Sequence, residues 1–200
     1  MGIEIPQNKF LILDGAMGTV LQQRGLSPQG RPELLNLTEP ELLDSVYKEY
    51  IAAGSQVIYA NTFGANGLKL AKTGHSVEEV VGAAIAVAKK AAAGTGTLVA
   101  LDVGPLGELL EPMGTLSFER AYDLFREMAE AGAKAGADLI VVETMTDLYE
   151  AKAALLAAKE AATCRCLSPC PLMPAAGPSP AVRSPPWPVH WRAWVRTLLD

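Results

Sequence analysis

The sequence predicts an α/β protein: the first half, about four β/α units, of a (β/α)8 TIM barrel, followed by an irregular proline-rich tail. Three observations carry the prediction. Short continuous apolar runs alternate with stretches of helical periodicity, the pattern of a parallel sheet covered by helices. The units recur at intervals of roughly 40 residues, enough for a strand and its crossover helix. Each apolar run ends on polar residues, where barrel enzymes place their chemistry.

The first run is residues 10–14 (FLILD), followed by GAMGT and a helix-like stretch to Arg24. Residues 38–53 then carry Leu42, Leu43, Val46, Tyr47, Tyr50 and Ile51 on one helical stripe. Thr38 with Glu41 reads as a capping box at its start, and Gly54 as its stop. The second run is residues 56–60 (QVIYA), ending at Asn61 and Thr62. Ser76 with Glu79 caps the next helix, whose stripe is Val77, Val80, Val81, Ala84, Ile85 and Ala88. The third run, residues 97–101 (TLVAL), ends at Asp102 and the turn VGPLG. Ser117 caps a helix with Phe118, Ala121, Tyr122, Phe125, Met128 and Ala129 on its stripe, and Gly132 reads as its stop. The fourth run, residues 138–142 (DLIVV), ends at Glu143 and Thr144. Asp147 with Glu150 then resembles a capping arrangement for a helix to about residue 161.

An open doubly wound sheet competes with the barrel. The first run is followed by GAMGT, not GxGxxG, so the dinucleotide-binding fingerprint is absent and the barrel is favoured. A complete barrel takes about 250 residues, and the regular pattern stops near Ala162, where a fifth strand is due.

Half of the 200 residues are hydrophobic, 20% are charged, and the net charge is −5. An acidic chain argues against nucleic-acid binding, which favours a basic face. No run of about 18 apolar residues marks a membrane span, and MGIEIPQNKF lacks a signal-peptide core, so the expected location is cytoplasmic.

The totals conceal a break. Residues 1–162 hold all nine Lys and 21 of the 22 acids; residues 163–200 hold all three Cys, all three Trp, eight of the 14 Pro and a single acid, Asp200. The expected division is therefore a partial barrel over 1–162 and a divergent tail over 163–200. A tail rich in Pro, Arg, Ser, Cys and Trp without Lys reads as a frameshifted continuation; a disordered proline-rich tail is the alternative.

The strand ends offer three acids, a hydroxyl, an amide and glycine-exposed N–H groups. Asp14 and Gly15 also suit a simple turn, and Asn61, Thr62 and Asp102 suit caps. Glu143, directly after DLIVV, sits where water is scarce and needs a cationic partner, a donor network or a ligand, and no neighbouring Lys or Arg in the sequence supplies the first. A small zwitterion would complete the set, its ammonium on the acids and its carboxylate on hydroxyl and N–H groups. His75, between Gly74 and the capping Ser76, reads as a loop residue.

The blocks LILDGAMGT, ANTFGAN, DVGPLGELLEP and GADLIVVETMTDLYEAKAAL, spanning about residues 10–161, closely resemble the homocysteine S-methyltransferase family. Within it, they are most similar to the homocysteine-binding module of the cobalamin-dependent methionine synthases. The resemblance implies a TIM barrel that binds homocysteine through zinc and methylates its sulfur. It implies that Asp14 and Gly15 form the first-strand part of the substrate site, that Thr62 contacts the amino-acid portion, and that Glu143 holds the ammonium. It also implies zinc and cobalamin as cofactors; the most similar subgroup takes its methyl from methylcobalamin, recharged from methyltetrahydrofolate, while betaine and S-methylmethionine stay open as donors within the family. Zinc coordination would turn the thiol into the nucleophilic thiolate.

The family's three zinc cysteines belong to its sixth and eighth strands. Cys164, Cys166 and Cys170 form C-x-C-x3-C in the tail, the wrong place for that site. The expectation is thus a truncated, inactive form with no metal ligands and no catalytic residue of its own. Open strand edges in a half barrel predict self-association. The alternative is a non-catalytic amino-acid-binding or half-barrel association fragment. An aldolase-type barrel would need a Lys at a strand end, and none is present.

Overall fold

The computed structural model describes residues 11–27, 30–161 and 165–167. Four strands form one sheet: β1 Val57–Tyr59, β2 Leu98–Val103, β3 Leu139–Val142 and β4 Arg165–Leu167. All neighbours pair in parallel, in the order β1-β2-β3-β4. Strand order thus follows chain order, without the reversal that defines a doubly wound sheet. The first expected strand, residues 10–14, narrows to a single parallel bridge between Leu13 and Val57. It is held by Asp14 N–H donating to the Val57 carbonyl (3.0 Å) and Gln56 N–H to the Ile12 carbonyl (2.8 Å). The ladder also runs on past Ala162, where a break was expected: β4 pairs Arg165 with Leu139 and Leu167 with Val141. Three residues suffice there because β3 offers a ready row of partners. The remainder of the tail, Cys164 and Cys170 included, lies outside the described residues.

Side-chain alternation sorts the sheet into two faces. Ile58, Ala60, Val99, Leu101, Val103, Ile140 and Val142 face the helices. Val57, Ala100, Leu139 and Val141 form a separate small cluster on the other face, joined by Leu11, Leu13, Tyr59 and Leu98. Helices therefore cover one face only, as on the outside of a barrel. The covering helices are α1 Met17–Gln23, α2 Leu35–Thr38, α3 Pro40–Ala52, α4 Gly67–Leu70, α5 Val77–Ala92, α6 Phe118–Ala135 and α7 Leu148–Ala161. The expected stripe of α5 is buried throughout. Each such Val or Ile contributes about 1.5–3 kcal/mol on burial. On α7 the buried positions are mostly Ala, which lets it lie close to its neighbours.

Ser76 and Ser117 cap as expected: their side chains accept from Glu79 N–H (3.1 Å) and Arg120 N–H (3.2 Å). Gly54, at φ 102°, closes α3 with its N–H on the Ile51 carbonyl and that of Ser55 on the Tyr50 carbonyl.

Three expectations about helix ends are corrected. The Thr38–Glu41 box does not form; α3 begins at Pro40 after Glu39, which makes no side-chain cap. Proline disfavours helical backbone at the preceding residue, so Thr38 joins the short α2 instead and its hydroxyl donates to the Leu34 carbonyl. Gly132 does not stop α6, which runs to Ala135 and ends at Gly136 (φ 88°). Gly132 is instead buried where α6 crosses the sheet; a Cβ there would lie 2.7 Å from Leu101 Cδ2. Asp147 does cap α7, accepting from Tyr149 N–H (2.7 Å), but Glu150 does not reach back to it. The buried Glu150 carboxylate accepts from Leu106 N–H (2.7 Å), tying the loop after β2 to the start of α7.

Gly132→Val should therefore destabilise the chain by about 1–3 kcal/mol through overpacking. Chemical denaturation would measure it, and combining it with Leu101→Ala should cost less than the sum of the two.

Candidate functional site

Side chains at the carboxyl ends of the strands close around a cavity of about 440 Å³, the size that takes a small molecule. Asp14 and Gly15 enter from the first segment, Tyr59 from β1, Asp102 from β2 and Glu143 from just beyond β3. Glu33, Asn61 and Phe63 add to the wall. Three of the four expected residues, Asp14, Gly15 and Glu143, thus meet at one site.

Thr62 is not among the lining residues. It is fully buried beneath the cavity, and its hydroxyl donates to the Asp102 carbonyl (2.8 Å) and accepts from Asp102 N–H (3.0 Å). It latches the end of β1 to the end of β2. Asn61 is likewise used in the framework. Its Nδ2 donates to the Pro32 carbonyl (2.6 Å), and its backbone pairs with the Tyr47 hydroxyl and Asn36 Nδ2. These bonds hold the segment carrying Glu33 over the strand ends. The helix that follows is capped by Asn66, not by Asn61 or Thr62. His75 lies exposed in its loop, its Nδ1 3.0 Å from Glu79 Oε2.

Glycines permit the close approaches. A Cβ on Gly15 would lie 3.0 Å from the Tyr50 hydroxyl. Gly64 leaves room for Glu33, whose Oε1 accepts the Gly64 N–H (2.8 Å). Immediately after Glu143, Thr144 holds φ 57°, an uncommon conformation for a β-branched residue.

The site is acidic. Asp14 Oδ2 accepts from Tyr59 N–H (2.9 Å), while Asp14 Oδ1 and Asp102 Oδ1 are buried without a partner. Burial pushes the Asp14 carboxyl up to about 7; the Tyr59 N–H opposes that shift and the Glu143 charge adds to it. Burial raises Asp102 well above the carboxylate range, with Glu143, Asp14 and Glu33 adding to the effect. Glu143 is raised as well, again by burial. Among the described residues no Lys, Arg or His lines the cavity.

Asp102 was expected only as one of three strand-end acids, and Tyr59 and Glu33 were not among the expected binding residues. Alternation could have found the first two: Tyr59, Asp102 and Glu143 share the strand parity of Val57, Ala100 and Val141, on the face away from the helices. Nothing local marks Glu33, which arrives through the fold.

Among the described residues the lining donors are carboxylates, the Tyr59 phenol, the Asn61 amide and the Met17 thioether, with neither thiol nor imidazole. Among the described residues no group of three or more His, Cys, Asp or Glu is placed to hold a metal ion. The thiolate zinc site implied by the resemblance therefore does not fit these residues.

The sequence matches the profile of the homocysteine S-methyltransferase family over residues 11–178, across the compositional break at 162. It is 31% identical over 176 residues to the methionine synthases of Mycobacterium tuberculosis and Mycobacterium leprae, covering 80% of this chain and 14% of each relative. The fold is similar to the solved homocysteine methyltransferase MmuM from Escherichia coli. Its oxidized form superposes with a TM-score of 0.66 at 29% identity, covering 78% of this chain and 60% of that one. Its metallated form gives 0.66 at 28% identity, covering 80% and 62%. The chain thus spans about one-seventh of the curated relatives' length and three-fifths of the solved chain. A profile match over most of the sequence, with these relatives and this fold, places the chain in the homocysteine S-methyltransferase family.

Proposed function

We propose that this chain carries the amino-acid half of a homocysteine S-methyltransferase site on the first half of a TIM barrel. The observation that carries the reading is a cavity lined by Asp14, Glu33, Asp102 and Glu143, with no cationic side chain among the described residues that line it. The ammonium of homocysteine supplies the missing charge, with Glu143 and Asp14 as its acceptors. Gly15 brings the backbone close to the ligand, and Thr62 acts from below by fixing the end of β2. The methyl donor is methylcobalamin, recharged from methyltetrahydrofolate, a choice supported by the methionine synthases among the relatives.

Activation of the sulfur is assigned to the thiolates that the family carries on its later strands, so no chemical step is assigned to these side chains. The 200-residue chain is accordingly read as inactive alone, with a frameshifted tail whose start lies later than residue 163, since β4 and the family match run past that point. Sequencing the coding DNA from the Glu150 codon onward tests that reading, because a single-base correction should restore further barrel sequence. Among the described residues no helix is long and apolar enough to cross a membrane. With the acidic composition, this supports a cytoplasmic protein that binds small molecules rather than nucleic acid.

Ligand-observed NMR with L-homocysteine tests the site directly. Weak binding is expected, unchanged by added zinc, and Glu143→Gln should weaken it roughly tenfold, the scale of one charge-assisted hydrogen bond. Unchanged affinity in that variant would remove Glu143 from the site. Methionine formed from methylcobalamin by the chain alone would overturn its assignment as inactive.

A second reading, an amino-acid-binding fragment that associates through its strand edges, is favoured by one observation. The segment around Leu13 and strand β4 each have a neighbour on one side only among the described residues. Such edges template pairing, so light scattering should find dimers or larger species. A monodisperse monomer would refute that association.

A further inference from the structure

We propose that an ammonium ligand enters this cavity in exchange for a proton that the ligand-free site holds among Asp14, Asp102 and Glu143. The proposal rests on the ammonium-site reading above and adds what the empty site does with its charge.

Four carboxyl groups line one small cavity, and Asp102 is only 8% exposed. Its Oδ1 and that of Asp14 meet no donor. Leaving these groups ionised together, out of water and beside one another, is costly. The surrounding groups offer no relief. Tyr47 and Tyr50 face the cluster from α3 and Tyr59 from β1; burial and the carboxylates raise all three phenols, so they stay neutral. Glu33, from the turn before α2, adds a fourth acid. Lys69 on α4 is attracted to Glu33 and Glu150 but donates to the Pro105 carbonyl (2.8 Å) and lies 5.6 Å from the Phe63 ring centroid. It supports the wall from behind and is not a lining residue.

Protonation is the remaining way to lower the charge, and the raised values of Asp14, Asp102 and Glu143 agree with it. When the ligand's ammonium binds, its positive charge replaces the proton. The O–H bond of the carboxylic acid breaks, the carboxylate keeps the electron pair and accepts from the ammonium, and the proton passes to the buffer. Affinity then rises with pH from the ordinary carboxylate range to about 7, the value reached by Asp14. Stability of the ligand-free chain runs the other way. A carboxyl raised by folding binds more protons folded than unfolded within that window, so stability falls as pH climbs through it.

The probe is L-methionine, whose thioether has no proton to lose, in buffer containing a metal chelator. Calorimetry at about pH 6 in two buffers of different ionisation enthalpy should show roughly one proton released per ligand bound. Infrared spectra of the ligand-free chain should show a protonated carboxyl band at neutral pH, reduced in Asp102→Asn and lost as methionine saturates the site. Infrared tolerates associated samples, and Asp14→Asn serves if the Asp102 variant does not fold.

Absence of the band in the ligand-free chain overturns the exchange, whatever binds. A band that persists at saturation also overturns it but leaves the ammonium site standing. A band with no methionine binding defeats the ammonium reading itself, and the exchange with it.

Discussion

Everything at this site depends on helices covering only one face of the parallel ladder. With Ile58, Leu101 and Ile140 committed to the helices, their odd-even partners must face the other way. That parity delivers Tyr59, Asp102 and Glu143 to a common face at the strand ends. The framework spends its hydrogen bonds holding those ends in register. Thr62 joins β1 to β2, and Asn36 and Asn61 fasten the approach to α3 over β1. Buried backbone groups need such partners, and each pairing contributes about 1 kcal/mol while avoiding a larger penalty.

The acids work against this framework. Carboxyl groups packed with orphaned oxygens and no cation lower stability, and such local cost clusters at functional sites. The apolar helix–sheet core carries it. Glu33, accepting from Gly64 N–H, and Lys69, bonded to the Pro105 carbonyl, keep the loops from relaxing around the cavity. A rigid surround maintains an unfavourable charge arrangement until a ligand of opposite charge resolves it.

What was legible in the sequence was what local chemistry decides. Apolar runs and helical stripes located three strands and the long helices. Ser76 and Ser117 were readable as caps because a cap needs only its own next three residues. Asp14, Gly15 and Glu143 were readable because acids and glycine stood at strand ends. The failures involve competition or distance. Pro40 displaced the Thr38 cap, and Leu101, some thirty residues away, turned Gly132 from a stop into a contact. Glu150 found its partner at Leu106, and Glu33 reached the cavity through a chain of asparagine bonds. Thr62 was correctly picked out as a strand-end residue, but whether a side chain faces a cavity or the framework below depends on register with the next strand.

The strand order also bears on how the protein is made. Every strand pairs with the one synthesised just before it, and the main helix contacts join α3 to α5, α5 to α6 and α6 to α7. No segment must wait for a distant one to emerge. A nascent chain leaving the ribosome can dock each unit on the last, with modest loop-closure entropy at every step. Asp14 and Glu33 come before β1, Asp102 from β2 and Glu143 after β3, so the acidic cavity assembles progressively, and its last acid arrives only after most of the supporting core exists.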